Sequence, residues 1–391
     1  MLNTSLSPWP SFTQEEADAV SKVLLSNKVN YWTGTECREF EKEFAAFAGT
    51  QYAVALSNGT LALDVALKAM GIGAGDDVIV TSRTFLASAS CIVTAGANPV
   101  FADVDLNSQN ISAETVKAAL TPNTKAIIVV HLAGMPAEMD GIMDLAKEHD
   151  LWVIEDCAQA HGAKYKGKSV GSIGHVGAWS FCQDKIMTTG GEGGMVTTNN
   201  KELWSKMWSY KDHGKSYDAV YHREHAPGFR WLHESFGTNW RMMEMQAVIG
   251  RIQLKRMPEW TARRQAHAAK LAESLGKFAS IRLIEVADYI EHAQYKFYAF
   301  VKPEHLKDGW TRDRIVNELN ARKVPCYQGS CSEVYLEKAF DNTPWRPKER
   351  LKNAVELGDT SLMFLVHPTL TDDEIAFCKE HIEAVLAEAT A

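Results

Sequence analysis

The residue with the most distinctive chemistry in this sequence is a lysine that stands between an apolar segment and a run of glycines. Lys185 closes the segment SFCQDK (residues 180–185), and the segment GGEGG (residues 190–194) follows it. Glycines let the backbone beside such a lysine take an unusual course. A lysine amine that is desolvated or set beside a second cation loses its proton more easily and can form a Schiff base with a carbonyl compound. Because most lysines are solvated surface charges, Lys185 alone supports only a hypothesis.

A carboxylate follows an apolar run at Asp156, in the segment EDCAQ (residues 155–159) after Trp152–Ile154. Ligands of open α/β sheets bind beyond the carboxyl ends of the strands, and this carboxylate would lie there. An aspartate in that place could hold a protonated ring nitrogen and keep a heteroaromatic cofactor an effective electron sink. The alternative, a helix cap or a surface carboxylate, is the commoner role for a single acidic residue.

Two further segments precede helices and could reach a ligand. SNGT (residues 57–60) stands directly before the predicted helix Leu61–Met70, and a helix N-terminus carries partial positive charge that suits a phosphate. GTNWRM (residues 237–242) places Asn239 shortly before another predicted helix. Ser, Asn and Thr are also the usual N-cap residues, so capping is the alternative interpretation of both segments.

The apolar pattern around these segments predicts strands that alternate with helices. The predicted strands are β-branched runs at Val78–Val80, Ala126–Val130 and Trp152–Ile154. The predicted helices between and before them are Glu36–Phe47, ended by Gly49, Leu61–Met70, ended by Gly71, and Met139–His149. Alternating strands and helices imply βαβ units and a mostly parallel sheet. The expected fold class is therefore α/β.

The C-terminal third has a different pattern, and we predict a domain boundary at Pro258. The polar segment Asp212–His233 has weak periodicity and is predicted to be a long loop, followed by a helix Glu244–Met257 that ends at the proline. This divides the chain into a large α/β domain (residues 1–257) and a small α+β domain (residues 258–391). In the small domain we predict a strand at Phe297–Val301, a helix after Thr311, and a last helix that opens with a capping box at residues 371–374.

Composition excludes several classes of function. The 391 residues carry 41 Lys+Arg and 49 Asp+Glu, a formal charge of −8, which offers no basic footprint for nucleic acid or anionic lipid. No apolar run is long enough for a membrane helix, and the N-terminus lacks the pattern of a secretory signal. The 7 cysteines are scattered and form no CxxC pair, which argues against a disulfide framework or a metal site. We expect a cytoplasmic protein.

The order and spacing of the four chemical segments resemble the sugar aminotransferases known as the DegT/DnrJ/EryC1/StrS family, which use pyridoxal 5′-phosphate (PLP). The resemblance extends from Trp32-Thr33-Gly34 to the last helix, and its most specific part is EDCAQAHG, then GAWSFCQDK, then GEGG, between Glu155 and Gly194. It implies the aspartate-aminotransferase-type fold (PLP fold type I). In that fold a large domain with a seven-stranded, mostly parallel sheet carries a small α+β C-terminal domain.

The resemblance also implies roles for single residues. Lys185 is expected to form the Schiff base with the cofactor and to move protons as the catalytic residue. Asp156 is expected to pair with the pyridine nitrogen, and Gln159 to lie beside the ring hydroxyl.

The remaining cofactor contacts follow by the same resemblance. Gly59, Thr60 and Ser180 match phosphate contacts, and Phe85 matches an aromatic ring over the cofactor face. Asn239 matches an asparagine that the neighbouring subunit contributes, so the implied functional unit is a homodimer with its active site at the subunit interface.

The implied reaction moves an amino group from L-glutamate to a keto group of a nucleotide-linked deoxysugar, at C4 in preference to C3. Such a reaction would serve cell-surface polysaccharide or glycan synthesis. No residue pattern selects UDP, dTDP or GDP as the nucleotide.

Two departures from the family pattern qualify the transfer of substrate contacts. Many relatives carry His or Tyr and then Pro before the lysine, where this chain has CQD (residues 182–184). The segment Asp212–His233 is rich in His and Arg, which suits either an anion site or a solvated loop. The alternatives are a PLP- or PMP-dependent sugar dehydratase, against which Lys185 and the cysteine spacing argue, and a non-catalytic regulatory relative.

Overall fold

The computed structural model describes residues 6–391, in which strands and helices alternate as the sequence predicts. The expectation about a secretory signal depends on residues 1–5, which lie outside the described part. The described strands are β1 (Tyr52–Leu56), β2 (Asp77–Thr81), β3 (Asn98–Ala102), β4 (Thr124–Val130), β5 (Trp152–Asp156), β6 (Lys164–Tyr165), β7 (Lys168–Ser169), β8 (Val176–Ser180), β9 (Gly194–Thr198), β10 (Ile281–Leu283), β11 (Ile290–Glu291), β12 (Phe297–Val301), β13 (Cys326–Tyr327) and β14 (Ser361–Phe364).

The helices cover both faces of the main sheet and surround the C-terminal strands. They are α1 (Gln14–Leu25), α2 (Glu36–Ala48), α3 (Gly59–Ala69), α4 (Ala87–Thr94), α5 (Ala113–Ala118), α6 (Met139–Glu148), α7 (Lys201–Tyr210), α8 (Tyr217–Tyr221), α9 (Glu244–Leu275), α10 (Arg312–Ala321), α11 (Lys352–Thr360) and α12 (Asp372–Ala389). Short 3-10 turns lie at Leu132–Gly134, Pro303–His305, Val334–Leu336 and Lys338–Phe340.

The main sheet has seven strands in the order β1-β9-β8-β5-β4-β2-β3. The strands β3, β2, β4, β5 and β8 pair in parallel, whereas β9 runs antiparallel to both of its neighbours. The inner strands are mostly apolar and, apart from the exposed Lys125 near the start of β4, the residues of β4, β8 and β9 are buried, because helices cover both faces as a parallel sheet requires. The predicted α/β class with a large, mostly parallel seven-stranded sheet is confirmed.

The carboxyl ends of the parallel strands meet at one edge of this sheet. β5 ends at Asp156, and the strand register places that residue beside Val130 on β4 and Ala178 on β8. β8 ends at Ser180, and β1 leads directly into the first turn of α3 at Gly59. The residues predicted to carry chemistry therefore follow strands that end side by side.

Helix α2 confirms the predicted amphipathic segment and gains its N-terminal cap from a distant part of the chain. Its C-terminus is Gly49 in the left-handed conformation, as expected. At its N-terminus the fully buried carboxylate of Glu244 accepts hydrogen bonds from the backbone N–H of Glu36 (2.5 Å) and of Cys37 (3.2 Å). The first turns of α2 and α9 are thus joined by one side chain, and Gly34 makes room for it.

The prediction that a helix ends at Pro258 was wrong. Helix α9 continues through the proline to Leu275 and has 32 residues. A proline removes one backbone hydrogen bond, but α1, α2 and α12 pack along this helix and outweigh that loss. The division of the chain at residue 258 stays a prediction, and one rigid element runs across it.

The C-terminal part contains a four-stranded antiparallel sheet in the order β10-β12-β14-β13. The predicted strand Phe297–Val301 is confirmed, as is the helix after Thr311. The capping box at the start of α12 is also confirmed, since Thr371 and Glu374 bond reciprocally. A small three-stranded sheet, β11-β6-β7, joins this part to the main domain.

The segment Asp212–His233 is not an uninterrupted loop, because it contains the short helix α8, whose Ser216 side chain caps its first turn. Arg223 pairs with Asp218 and Glu234 on the surface, at 3.3 and 2.6 Å. Across residues 6–391, the structure contains no helix with both the length and the apolar character needed to cross a membrane.

Candidate active site

Most of the predicted site residues meet around one cavity at the carboxyl edge of the main sheet. The cavity has a volume of about 600 Å³. Seven of the eight predicted cofactor-binding residues line it, namely Gly59, Thr60, Phe85, Asp156, Gln159, Ser180 and Lys185. They come from segments far apart in the sequence and are brought together by the strand order.

Lys185 lies in the turn that follows β8 and directs its amine toward the cavity. Its side chain is 17% exposed, and its Nζ atom lies 3.8 Å from a carboxylate oxygen of Asp184 and 5.3 Å from the centre of the Tyr295 ring. The indole N–H of Trp9 donates to the backbone carbonyl of Lys185 at 2.9 Å and so fixes the turn. An amine held on a fixed turn at the wall of a cavity can attack a carbonyl group presented there.

Asp156 is a buried carboxylate that lies on the same cavity. It accepts a hydrogen bond from the hydroxyl of Ser88 at 2.8 Å and from the backbone N–H of Ala158 at 3.1 Å. Burial raises the pKa of Asp156, and although these hydrogen bonds and the charge of Lys185 act against it, the pKa stays above its ordinary value. A cationic group in the cavity would therefore be bound strongly by this carboxylate.

The neighbouring Glu155 points away from the cavity and organises the layer behind it. Its carboxylate accepts hydrogen bonds from the backbone N–H groups of Gly171, Ile173 and Gly174, at 2.6–2.8 Å. Burial acts to raise the pKa of Glu155, but the hydrogen bonds from His131 and from these N–H groups outweigh it and hold the pKa below its ordinary value. Glu155 is a structural anchor for the strand that carries Asp156.

His131 completes this layer with a defined tautomer. The backbone N–H of Ala137 donates to its Nδ1 at 3.0 Å, so Nε2 carries the proton that is donated to Glu155 at 2.9 Å. His131, Glu155 and Cys157 also place their ligand atoms within 4.8 Å of one another. Because the histidine and the carboxylate already have these partners, hydrogen bonding accounts for the cluster without a metal ion.

The segment predicted to hold a phosphate has the close packing that such a site needs. Asn58 caps α3 by accepting from the N–H of Leu61 at 3.0 Å, so the capping interpretation is confirmed and the phosphate contact stays a prediction. A Cβ atom on Gly59 would lie 2.5 Å from the Cβ of Ser180, and one on Gly194 would lie 2.2 Å from the carbonyl oxygen of Asn58. Only glycine allows these three strand ends to approach so closely.

Gln159 and Phe85 lie on other walls of the cavity. The side-chain oxygen of Gln159 accepts from the backbone N–H of Ala133 at 2.7 Å, which leaves its amide N–H groups for another partner. Phe85 is 69% exposed, an unusual degree for a large apolar ring that lines a cavity.

Asn239 does not line the cavity of its own subunit. It is exposed and forms an isolated β-bridge with Asp212. The backbone carbonyl of the next residue, Trp240, accepts hydrogen bonds from the N–H and the hydroxyl of Ser57, at 3.1 and 3.0 Å. The alternative that Asn239 caps the following helix is wrong, because the N-cap of α9 is Met243.

Several residues of the site were not predicted from the sequence. Ser88, Tyr295 and Trp9 contact the predicted residues from distant segments, and no local pattern marks them. The Tyr295 hydroxyl donates to Asp184, a residue that departs from the family pattern. That departure was the one available signal that the surroundings of Lys185 are particular to this chain.

A buried carboxylate, a lysine on a fixed turn and a glycine-rich helix N-terminus around one cavity define a site of the PLP-enzyme type. The model of the DegT/DnrJ/EryC1/StrS aminotransferase family matches residues 10–383, and the chain belongs to this family. It is a PLP-dependent aminotransferase, and pyridoxal phosphate is the cofactor of the family.

Three known proteins illustrate the likeness. The crystal structure of an aminotransferase from Psychrobacter cryohalolentis is 65% identical, with 98% of this chain and 99% of that chain covered and a TM-score of 0.96. GDP-perosamine synthase of Escherichia coli O157:H7 is 41% identical over 95% of this chain and 96% of its own. A UDP-N-acetyl-3-dehydro-α-D-glucosamine 3-aminotransferase of Acidithiobacillus ferrooxidans is 41% identical over 91% of this chain and 90% of its own.

Proposed function

We propose that this enzyme transfers the amino group of L-glutamate to the C4 keto group of a nucleotide-linked deoxysugar, in the cytoplasm, for the synthesis of cell-surface polysaccharide or glycan. The observation that carries the proposal is the common cavity of Lys185 and Asp156, with Gly59 and Ser180 packed at its end. The relatives named above support a nucleotide-sugar acceptor, and one of them is a 3-aminotransferase, so C3 is the competing position.

The cavity residues fit the cofactor. Gly59, Thr60 and Ser180 would hold the phosphate at the N-terminus of α3, where the first helical N–H groups have no partner within the helix. The Asp156 carboxylate would hold a protonated ring nitrogen, and Gln159 offers amide N–H groups beside it. Phe85 would cover one face of the ring.

Bound PLP supplies an electron sink and stores the amino group between the two half-reactions. The protein's own contribution to the chemistry is proton transfer by Lys185. Its Nζ takes a proton from the Cα atom of the amino donor and delivers it to the cofactor carbon C4′. Asp156 keeps its charge toward the cavity because Ser88 and the Ala158 N–H hold both of its oxygens. The turn fixed by Trp9 keeps the Lys185 amine in reach throughout.

The functional unit in this proposal is a homodimer whose active sites are completed across the interface by Asn239. The segment that carries Asn239 is exposed and includes Phe236, which is 98% exposed, together with Trp231 at 79% and Phe229 at 76%. Apolar rings so exposed on one segment are typical of a surface that a partner covers.

The visible absorption spectrum of the PLP-loaded enzyme, recorded before and after L-glutamate is added, tests the donor half-reaction. We expect the visible absorbance of the aldehyde form of the cofactor to disappear when glutamate is added. Lys185→Ala should slow this change by a factor on the order of 10²–10⁴ or more while circular dichroism shows an intact fold. The exposed lysine variant Lys168→Ala, carrying the same substitution, should behave like the wild type.

The acceptor is then identified by adding 4-keto and 3-keto nucleotide sugars to the aminated enzyme. Return of the original spectrum with a 4-keto sugar supports the proposal, and return with 3-keto sugars alone moves the reaction to C3. If PLP binds but glutamate changes nothing in the wild type, transamination from glutamate is refuted and the dehydratase alternative gains support.

A further inference from the structure

A second cavity of about 390 Å³ adjoins the first and has no role in the chemistry described so far. The two cavities share Cys182, Asp184 and Glu192 in their walls. The remaining wall comes from the N-terminal segment, the glycine-rich turn and the C-terminal part, with Ser7, Trp9, Gln183, Gly191, Lys296, Leu365 and His367. The turn that carries Lys185 therefore separates the two cavities and contributes to the walls of both.

Lys296 is a buried cation in the wall of this second cavity. It stands directly before strand β12 and is only 8% exposed, so more than nine-tenths of it is buried. Within residues 6–391 its ammonium donates no hydrogen bond and forms no ion pair, and Nζ lies 4.7 Å from the centre of the Tyr295 ring. Burial lowers the pKa of Lys296 to about 8, and the negative charge of Asp184 acts against that fall. A carboxylate that entered the cavity would give this ammonium a hydrogen-bonded partner of opposite charge.

Counted together with this ammonium, three cations and two anions lie in or beside the wall of the second cavity. The cations are Lys185, Lys296 and Arg264, whose Nε and Nη2 atoms are buried without partners. The anions are Asp184, one of whose oxygens already accepts from Tyr295, and the exposed Glu192.

Histidine does not change this balance. His367 faces the same cavity from the C-terminal part, and burial lowers its pKa to about 3, so it is neutral. The wall of the second cavity therefore attracts an anion, and the ammonium of Lys296 can bind it.

From this arrangement we propose that Lys296 binds the side-chain carboxylate of the amino donor. The inference rests on the proposed donor half-reaction and names the residue that makes a dicarboxylic donor preferred. The amines of Lys185 and Lys296 lie near the same ring, 5.3 and 4.7 Å from the centre of Tyr295, and are at most about 10 Å apart. A donor whose amino group takes the place of the Lys185 amine reaches about 6 Å to its distal carboxylate oxygen, and a hydrogen bond adds about 3 Å, so the contact requires the two amines to lie within about 9 Å of one another.

A single carboxylate fits this site better than the diphosphate of the acceptor. Lysine offers one compact charge, which matches one carboxylate, and the unpartnered nitrogens of Arg264 are buried too deeply for a ligand to reach. Asp184 on the same wall would repel a doubly charged diphosphate more strongly than a singly charged carboxylate.

The test compares Lys296→Met with the wild type, both loaded with PLP. The substitution keeps the length of the side chain and removes its charge. We expect the concentration of L-glutamate that gives half-maximal conversion to rise about 10- to 100-fold, as for the loss of a hydrogen bond to a charged group. The same quantity for L-alanine, which lacks the second carboxylate, should not change, nor should the KM for the keto sugar.

A binding measurement removes the dependence on turnover. Calorimetric titration of the PLP-loaded enzyme with glutarate should show weaker binding in Lys296→Met, by a similar factor. Lys302→Met is the matched control, because it makes the same substitution at the other end of β12, and it should leave both quantities unchanged.

Three results would overturn the proposal. Unchanged glutamate and glutarate binding in Lys296→Met would show that the ammonium has no part in donor binding. An equal loss for glutamate and alanine would indicate a structural role, and a rise only in the KM of the keto sugar would assign the site to the diphosphate. Failure of wild-type enzyme to react with glutamate would instead refute the proposed function itself.

Discussion

At the scale of single residues, the ionised carboxylate of Asp156 lowers the stability of the cofactor-free fold, although the proposed cofactor contact requires that ionised form. The carboxyl of Asp156 is buried and burial raises its pKa, so folding without cofactor favours the protonated form relative to the unfolded chain. The stability that this group contributes is complete below the unfolded pKa and is lost as the pH rises through the higher folded pKa. At neutral pH the ionised carboxylate therefore destabilises the cofactor-free fold, and a bound cation would remove that cost.

Asp156→Asn should separate the two effects. Without cofactor, the variant should unfold at the same temperature as the wild type or higher at pH 7, and the difference should shrink as the pH is lowered and Asp156 becomes protonated. The donor half-reaction should slow by a factor on the order of 10² or more, as when a preorganised electrostatic group is removed. Thermal unfolding across pH and stopped-flow absorbance measure the two quantities.

Ser88→Ala is the companion variant, because it removes the hydrogen bond to Asp156 and keeps the charge. It should cause a much smaller loss of rate and shift the pH profile of the half-reaction upward, since the ionised carboxylate loses a donor. A cofactor-free Asp156→Asn protein that is clearly less stable than wild type at pH 7 would contradict this account of the buried carboxyl.

At the scale of elements, the site depends on how closely the ends of β1, β8 and β9 approach. Gly59 and Gly194 allow this approach, because a Cβ at either would overlap a neighbouring strand end. The packing density of a protein interior leaves little room to relax such an overlap.

Gly59→Ala should weaken PLP binding by about tenfold or more, because overpacking by one methyl group typically costs about 1–3 kcal/mol. Gly73→Ala is the control: its nearest neighbour would be 3.7 Å from the new Cβ, so PLP affinity should stay at the wild-type value. Fluorescence titration with PLP measures both. Wild-type affinity in Gly59→Ala would remove this turn from the cofactor site.

The same elements show what the sequence can and cannot predict. The helices at Glu36–Ala48 and Met139–Glu148 and the strand Thr124–Val130 follow from apolar patterns, and the first helix also from the glycine that ends it, which are local properties. The passage of α9 through Pro258 was missed because the packing that supports it comes from other helices. Ser88 and Lys296 were missed for the same reason, since only the fold brings them beside Asp156 and Asp184.

At the scale of the whole molecule, the exposed segment before α9 would link assembly to activity in the proposed homodimer. Asn239 is outside its own cavity, yet its neighbour Trp240 is bonded to Ser57 at the start of the phosphate turn. An interface formed by this segment would therefore lie next to the active site.

Phe236→Ser should weaken the dimer, because it removes a ring that is 98% exposed in the single chain. Burial of a phenylalanine side chain is worth about 1.5–3 kcal/mol, so the dissociation constant should rise about tenfold or more. Analytical ultracentrifugation measures this, and activity at low protein concentration should fall with dimer content. Val286→Ser, at an exposed apolar residue before β11, is the control. A wild-type dimer constant in Phe236→Ser would place the interface elsewhere.

The long helix α9 also has a mechanical consequence. With 32 residues it forms a rod about 48 Å long, from the cap of α2 to the strands that carry Lys296. A loop between two domains would let them swing freely, whereas a rod transmits force and stores elastic energy when it bends. Its bending stiffness is lowest near Pro258, where a backbone hydrogen bond is missing, six residues before Arg264 and beside Trp260, which packs on Trp9. A tilt of the C-terminal part would therefore act on Trp9, whose indole donates to the backbone carbonyl of Lys185.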